Sequence, residues 1–228
     1  PVETGEATQI GTSAFNEQYE DNAYVGYMYG TPGSSTYEET HANINDSTIK
    51  TVLDNWYQIN LASYSSYIST EQGFCNDRQI ATGHSNYTTL GYGTNWTVYS
   101  PANRFLGTHL TSWLSIQTPI LKCNQANDYL TINGSVSGHN LDYPIGLITA
   151  DEVELAGGFG GAENNLYYLY TNQTYWTISP NYYNGYAHVY SVYSTGYLNS
   201  LYANDNASGI RPVINLDKNV TISSGDGT

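Results

Sequence analysis

The stretch from Tyr175 to Leu216 constrains the fold more than any other part of this chain. It opens with Tyr-Trp-Thr-Ile-Ser-Pro and closes with Gly-Ile-Arg-Pro-Val-Ile-Asn-Leu, and a run of Tyr, Asn, Ser, Gly and Ala separates the two motifs. Within that run, Ser194-Thr195-Gly196 stands between two strand-forming segments, which predicts a β-hairpin. We therefore expect a variable surface at 181–209, held between two fixed framework motifs.

Residues 181–209 have the composition of a recognition surface. Tyr offers a large amphipathic contact area with few rotatable bonds, while Asn, Ser and Gly add adaptable hydrogen bonding. Because Tyr is also a good strand former, a β domain with a polar exterior is the alternative interpretation. We predict that ligand contacts are made by Asn181, Tyr182, Tyr183, Asn184, Tyr186, His188, Tyr190, Tyr193, Tyr197, Asn199, Tyr202, Asn204, Asp205 and Asn206.

The charge balance excludes several classes of partner. The 228 residues include six Lys and Arg against 20 Asp and Glu, so the formal net charge is -14. Nucleic acids and anionic membranes bind clustered basic residues, and neither is expected as a partner. An acidic composition rich in Tyr, Gly, Asn and Thr favours an extracellular location at a cell surface. The chain starts at Pro1 rather than Met, and we expect it to be a piece of a longer exported protein.

Two cysteines, Cys75 and Cys123, allow a single disulfide. In a secreted protein they are expected to pair and to close a long loop, with a stabilisation of roughly 3 to 4 kcal/mol. Two buried free thiols are the alternative. No CxxC spacing and no neighbouring His accompanies them, so we predict no metal site, no redox site and no cofactor.

Local patterns predict two helices and many short strands. Apolar residues recur at helical spacing over about Thr48–Asn60, after an N-cap at Asp46 or Ser47. Thr149-Ala-Asp-Glu152 has the pattern of a capping box, and Gly157-Gly158 ends the short helix that follows. Strands are predicted at 23–29, 143–148, 166–170, 175–178, 187–193, 197–201 and 210–216, irregular loops at 73–141, a flexible lead-in at 1–22 and a single domain at 23–228.

The framework motifs carry a resemblance to a known fold. Tyr175-Trp176-Thr177-x-Ser179-Pro180, followed by the motif at 209–216, resembles the C-terminal half of C-type-lectin-like domains in bacterial surface proteins and retroelement-diversified proteins. Segments 143–152, 74–78 and 25–30 are similar to those of large exported proteins of Gram-positive gut bacteria, some with a pilin-like anchor. The resemblance implies an α+β, C-type-lectin-like fold, related to formylglycine-generating enzymes, with two helices, a small twisted antiparallel sheet and long irregular loops.

The resemblance also implies roles for framework residues and a source of variation. Trp176 is expected in the core, and Arg211 is expected to act as a structural hydrogen-bonding pin. In retroelement-diversified members, mutation of template adenines scatters substitutions over the C-terminal face. Lys, Glu, Gln, Met and Trp, which such mutation of AAC codons cannot produce, are absent from 181–209. Paralogues that arose by ordinary duplication would look similar.

Departures from better-known relatives argue against two activities. Calcium-dependent lectins carry Glu-Pro-Asn or Gln-Pro-Asp together with Trp-Asn-Asp, and this chain has none of these oxygen-donor motifs. Formylglycine-generating enzymes carry a cysteine pair near a Gly-Phe-Arg segment, whereas both cysteines here lie well upstream of Gly209. The histidines show no metal-ligand spacing, and Asn76-Asp77-Arg78 is interpreted as a loop ion pair in preference to a catalytic trio.

These observations favour a non-enzymatic adhesin or receptor-binding domain. Its 181–209 face would bind a protein or glycan on another cell or on a host surface. The alternative is a structural subunit of a pilus or surface layer, in which self-assembly would bury the tyrosines against neighbouring copies. A carbohydrate-active enzyme, the third hypothesis, would require a carboxylate pair in a cleft.

Overall fold

The computed structural model describes residues 9–84, 87, 90–106, 118–133 and 141–221, which form a mixed α and β fold with few helices and antiparallel sheets. The helices are α1 (Tyr37–Thr40), α2 (Thr48–Asn60), α3 (Ser100–Leu106) and α4 (Ala150–Leu155), with 3-10 turns at Asn22–Val25, Ala62–Tyr67 and Ala126–Asp128. The strands are β1 (Met28–Tyr29), β2 (Asn45–Asp46), β3 (Phe74–Cys75), β4 (Thr97–Val98), β5 (Tyr129–Leu130), β6 (Tyr175–Tyr183), β7 (Ala187–Val192) and β8 (Leu198–Tyr202). Among these residues, no helix is long and apolar enough to cross a membrane.

The central sheet has four antiparallel strands in the order β4-β6-β7-β8, and β1-β2 and β3-β5 form separate two-stranded pairs. In the central sheet, Tyr182 pairs with His188, and His188 pairs with Tyr202 on the next strand. The register of β6 shifts on both sides of Pro180, because proline cannot donate a ladder hydrogen bond. The central sheet therefore aligns the 182, 188 and 202 positions across three strands.

Strands β6 and β7 of the central sheet are covered on both faces, each by a different set of helices. Trp176 and Val189 belong to the larger hydrophobic cluster, in which Leu53 of α2 also packs. Tyr190 belongs to a second cluster, together with Phe105 of α3. Successive residues of a strand point to opposite faces, so double-sided cover explains why β6 and β7 are buried almost without interruption.

The predicted helices and the predicted hairpin are confirmed. Helix α2 spans Thr48–Asn60 as expected, and the Ser47 side chain accepts a hydrogen bond from the Lys50 amide. In α4, the Glu152 amide donates to Thr149 Oγ1 at 3.1 Å, and the Thr149 amide donates to Glu152 Oε2 at 2.8 Å. The β7–β8 turn contains Gly196 at φ +80, where a Cβ would collide with the backbone of Asn164. These elements are encoded by local sequence.

Several predicted strands are wrong. In 23–29, residues 23–25 belong to a 3-10 turn and only the two residues of β1 form a strand, and 166–170 contains no strand. Segments 143–148 and 210–216 meet only at an isolated bridge between Gly146 and Val213. The segments are rich in strand-forming residues, but a strand requires a partner over several residues, and the fold supplies none here.

Helices α1 and α3 are additional to the two that were predicted. Helix α3 lies inside 73–141, which was expected to be irregular; of that range, 85–86, 88–89, 107–117 and 134–140 lie outside the described residues. A sequence signal for α3 exists, since Pro101 occupies its first turn, where the missing N–H costs nothing.

The predicted disulfide between Cys75 and Cys123 is confirmed, with Cα atoms 5.6 Å apart. Residues 9–22, expected to belong to a flexible lead-in, pack on the central sheet. Phe15 is completely buried, and the Trp176 indole donates to the Ser13 carbonyl at 2.8 Å. Residues 1–8 of the expected lead-in lie outside the described residues.

Two side chains following β3 connect the N-terminal half to the central sheet. The Asn76 side chain accepts from the Tyr27 amide and donates to the Ile178 carbonyl, both at 2.8 Å. Arg78, fully buried, donates to Asp128 at 2.7 Å and to the Met28 carbonyl at 2.9 Å. Removing one partner of such a buried pair costs several kcal/mol of folding stability, because the other partner is left unpaired. These contacts therefore fix the positions of the loops that carry Asn76 and Arg78.

Candidate ligand-binding face

Three aromatic side chains lie next to one another at one end of the central sheet. Tyr182, His188 and Tyr202 occupy paired positions on β6, β7 and β8. The Tyr182 and His188 rings stack with centroids 4.0 Å apart, and the His188 and Tyr202 centroids are 4.7 Å apart. Cross-strand neighbours on one face of a sheet interact in this way because their Cβ atoms are only about 5 Å apart.

Further rings extend this row in both directions. Beyond Tyr202, the Tyr186 ring lies edge-on at 5.5 Å and stacks on Tyr19 at 5.1 Å. Beyond Tyr182, the rings of Tyr87 and then Trp96 follow at centroid distances of 6.5 Å and 5.9 Å. We name this surface the aromatic face; it consists of Tyr19, Tyr87, Trp96, Tyr182, Tyr186, His188 and Tyr202.

The rings of the aromatic face differ in their exposure. Tyr186, Tyr202 and Trp96 are 43%, 49% and 50% exposed, whereas His188 at the centre is 7% exposed. Monomeric soluble proteins rarely leave a contiguous group of large aromatic side chains in contact with water without a use for it. The exposed rings are therefore available to a ligand, and the buried imidazole between them supports their positions.

His188 is neutral and has unused hydrogen-bonding capacity. Burial lowers the pKa of its imidazole to about 4, so the ring carries no charge at neutral pH. In the part of the chain that the structure describes, neither ring nitrogen has a hydrogen-bond partner. A neutral imidazole has one N–H donor and one acceptor nitrogen. Such a group, buried and unpaired between Tyr182 and Tyr202, is costly unless a ligand or water satisfies it.

Two amide oxygens near the aromatic face are also unpaired. Asn181 donates through Nδ2 to Ser200 Oγ at 2.9 Å, and its Oδ1 has no partner among the described residues. Asn184, in the β6–β7 turn, likewise has an unpaired Oδ1. Burial raises the pKa of Tyr182 to about 12, so its phenol keeps the proton at neutral pH. The face consists of neutral groups with spare acceptors.

Only some of the predicted contact residues reach this surface. Tyr182, Tyr186, His188 and Tyr202 are brought together by the pairing of β6, β7 and β8. Tyr193 and Tyr197 form a separate ring pair at the β7–β8 turn, 5.9 Å apart. The other predicted contact residues that are exposed or half-exposed are Asn184, Asn199, Asn204, Asp205 and Asn206.

Besides His188, three other predicted contact residues are buried. Tyr183 lies in the larger core cluster, and its hydroxyl donates to the Glu20 carbonyl at 2.9 Å. Tyr190 lies in the second cluster, edge-on to Phe105. Asn181 is also buried. Tyr183 and Tyr190 sit where the strands face the core, so neither presents a ring to solvent.

Sequence reasoning missed Tyr19, Tyr87 and Trp96. They lie far from 181–209 along the chain and reach the aromatic face through long-range contacts. The Ala187 amide donates to the Tyr19 carbonyl at 2.7 Å, and Val98, two residues after Trp96, pairs with Tyr182. The available sequence signal for these three residues was a large aromatic side chain among polar neighbours. That signal does not reveal which strand will lie beside the residue.

The residues predicted to be structural are buried or half-buried and paired. Trp176 is fully buried, and its backbone amide donates to the Gly209 carbonyl at 3.1 Å, which joins the two framework motifs. Arg211 donates to the Leu169 carbonyl at 2.9 Å, and its guanidinium lies 4.5 Å from the centre of the Tyr175 ring. Contacts between the two framework motifs therefore fix the first residues of β6.

Two clusters of charged side chains outside the aromatic face are ion-paired internally. The carboxylates of Asp46, Asp54 and Asp142 lie close enough to share a cation, and Lys50 Nζ lies 3.2, 2.6 and 3.1 Å from them, so its ammonium takes that position. A cavity of about 100 Å³ adjoins the disulfide. Arg104, in its wall, bridges two acidic residues.

Comparison with known proteins finds a family match for part of the chain. Residues 149–218, which include α4, β6, β7, β8 and both framework motifs, match the family described as "Domain of unknown function (DUF6273)". No curated protein matches the chain, and no solved structure matches it. The matched residues are those that supply the central part of the aromatic face.

Proposed function

We propose that this chain is a non-enzymatic, extracellular ligand-binding domain, an adhesin or receptor-binding module built on a C-type-lectin-like scaffold. The observation that carries the proposal is the aromatic face: a continuous row of rings across three strands, exposed at Tyr186 and Tyr202 and with unpaired nitrogens at His188. Its chemistry is that of a recognition surface, since Tyr and Trp provide contact area at a low entropic cost.

The framework motifs and the aromatic face lie in different places on the central sheet, which supports the proposal that a constant scaffold carries a variable surface. Trp176 and Gly209 join the framework motifs through the backbone, away from the row of rings. Substitutions at Tyr186 or Tyr202 would change the exposed surface without removing a core contact, because both side chains are exposed. A scaffold of this kind suits a retroelement-diversified protein, in which the face varies and the core does not.

Adhesion measurements test the proposal. The purified domain is coupled to fluorescent beads, and bead adhesion is scored on bacterial and host epithelial cells. Tyr202→Ala and Tyr186→Ala should each weaken adhesion about 5- to 30-fold, if each ring contributes on the order of 1 to 2 kcal/mol as a hot spot. Tyr168→Ala is the matched control, because Tyr168 is 68% exposed but lies outside the aromatic face.

The outcomes separate the ligand-binding proposal from the structural alternative. Equal adhesion of wild type and both face variants would refute the proposal. Sedimentation of the same proteins addresses the pilus or surface-layer subunit. Self-association of the wild type that Tyr202→Ala abolishes, without any adhesion, would favour that alternative instead.

A further inference from the structure

We infer that the aromatic face binds cationic side chains, namely the lysines or arginines of a basic polypeptide segment. This inference rests on the proposed function and names the chemical class of its partner. It follows from the charge distribution, from the kind of hydrogen-bonding groups left unpaired on the face, and from the rings themselves.

The cations of the chain are held away from the aromatic face. Lys50, Arg78 and Arg104 are buried in ion pairs with carboxylates. Arg211 lies over the Tyr175 ring. The remaining two of the six basic residues, Lys122 and Lys218, belong to segments that carry no part of the face. With a net charge of -14, the long-range field of this chain attracts cations and repels anions.

Acidic residues border the aromatic face at its Tyr19 end. Glu17 and Glu20 are exposed on either side of Tyr19, whose ring stacks on Tyr186. Nearby carboxylates, Asp21 and then Glu20, contribute after burial to raising the pKa of Tyr183, so negative potential reaches the base of this turn. A rim of one charge sign steers an oppositely charged partner and fixes its orientation.

Most of the unpaired groups at the face are hydrogen-bond acceptors, and the His188 N–H is the one donor among them. Asn181 Oδ1 and Asn184 Oδ1 are acceptors, and neutral His188 adds an acceptor nitrogen. Lysine and arginine carry only donors, three on the ammonium and five on the guanidinium. A carboxylate carries only acceptors, as does a fully ionised phosphate; either could pair with the His188 N–H and would leave the three acceptor atoms unpaired.

The rings supply the remaining attraction. A cation within about 6 Å of a Tyr or Trp ring centre is attracted by the negative face of the ring, and Arg is the more frequent partner. The chain already uses this contact internally, where the Arg211 guanidinium lies 4.5 Å from the Tyr175 ring centre. On the aromatic face, the exposed rings of Tyr186 and Tyr202 offer the same surface to an external cation.

Two peptides that differ only in charge test the inference. The first is an acetylated and amidated peptide with two arginines separated by Gly-Ser; the second replaces both arginines by citrulline, which keeps the shape and removes the charge. NMR titration of the whole domain should give a dissociation constant for the arginine peptide at least about fivefold lower than for the citrulline peptide. Raising NaCl from about 50 to 500 mM should reduce that difference.

Variants at constant charge separate ring contacts from general attraction to an acidic protein. Tyr202→Leu should weaken arginine-peptide binding about threefold to fivefold, because one ring is lost, and Tyr202→Phe should keep it. Tyr168→Leu, outside the face, should have no effect. Retention of folded-state NMR dispersion in Tyr202→Leu shows that the loss is local.

Two results would overturn the inference. One is equal affinity for the arginine and citrulline peptides; the other is arginine-peptide binding that Tyr202→Leu and Tyr168→Leu affect equally. If bead adhesion still depends on Tyr202 in either case, the proposed function stands and its ligand is not cationic. Competition of that adhesion by neutral oligosaccharides would then assign a glycan. If adhesion is also independent of Tyr202, both the inference and the proposed function fail.

Discussion

Removal of the disulfide should destabilise the protein through the unfolded chain and leave its native structure intact. Cys75 and Cys123 are 48 residues apart, so the bond closes a long loop in the unfolded state. The loss of loop entropy for that length corresponds to about 4 kcal/mol at 25 °C. In the native state, the Phe74–Leu130 pairing and the Arg78–Asp128 ion pair hold the same two segments together without the bond.

Urea denaturation of the wild type and of the Cys75→Ser/Cys123→Ser double variant measures this effect. With a slope of about 2.5 kcal/mol per molar urea, a loss of about 4 kcal/mol lowers the midpoint by roughly 1.6 M. A reductant should shift the wild type by the same amount and leave the double variant unchanged, which controls for the serine substitutions. The slope should rise modestly on removal of the bond, because an unfolded chain without the cross-link exposes more surface.

A midpoint shift below about 0.4 M would refute this reasoning, because it would correspond to less than 1 kcal/mol. It would mean that the two ends of the loop already lie close together in the denatured chain. A double variant that loses native NMR dispersion would contradict the other half of the argument, which assigns the native-state contacts to β3, β5 and Arg78.

Two further predictions concern a buried carboxyl and the variable segment. Burial, followed by the nearby charge of Asp151, raises the pKa of Glu154 to about 8 from 4.5. The stability due to its protonated form is full below pH 4.5 and is lost as pH rises through 8. Thermal denaturation should therefore show wild type losing up to about 1.4 kcal/mol per pH unit relative to Glu154→Gln between these values, and parallel pH profiles would contradict the assignment. Deep sequencing of the gene from a growing population should find adenine-directed substitutions at codons 182, 184, 186, 199, 202, 204 and 206, and not at the buried residues Val189, Tyr190 and Leu198; substitutions spread evenly over 181–209 would contradict a fixed sheet.

The sequence predicted the elements whose determinants lie within a few residues. Helix α2 follows from its apolar spacing, α4 from its capping box, and the β7–β8 hairpin from the turn at Gly196. The strands predicted near Gly146 and Val213 failed for the opposite reason. Strand propensity describes a residue that fits a pleated surface, but pairing depends on distant segments that the local pattern does not reveal.

The aromatic face was predicted only in part, because local composition does not reveal which distant segments lie beside it. The composition of 181–209 indicated a recognition surface, and Tyr186 and Tyr202 lie on it. It did not show that Tyr183 faces the core, because that depends on the register of β6. Nor did it show that Tyr190, on the same sheet face as His188, is covered by Phe105 of α3. Tyr19 and Trp96 joined the surface only through tertiary contacts, which composition alone does not specify.

The Asn76 side chain gives the molecule an unusual kind of connection between its two halves. Its carboxamide hydrogen-bonds the Tyr27 backbone, just before β1, and the Ile178 backbone in β6. One side chain thus bridges two backbone segments that do not pair with each other in a sheet. An aspartate in its place would present acceptors to both sides and meet the Ile178 carbonyl with like partial charge. The loop-rich half is thus held to the central sheet by the two hydrogen bonds of one side chain. Substitutions in the surrounding loops preserve this contact only while residue 76 keeps its carboxamide.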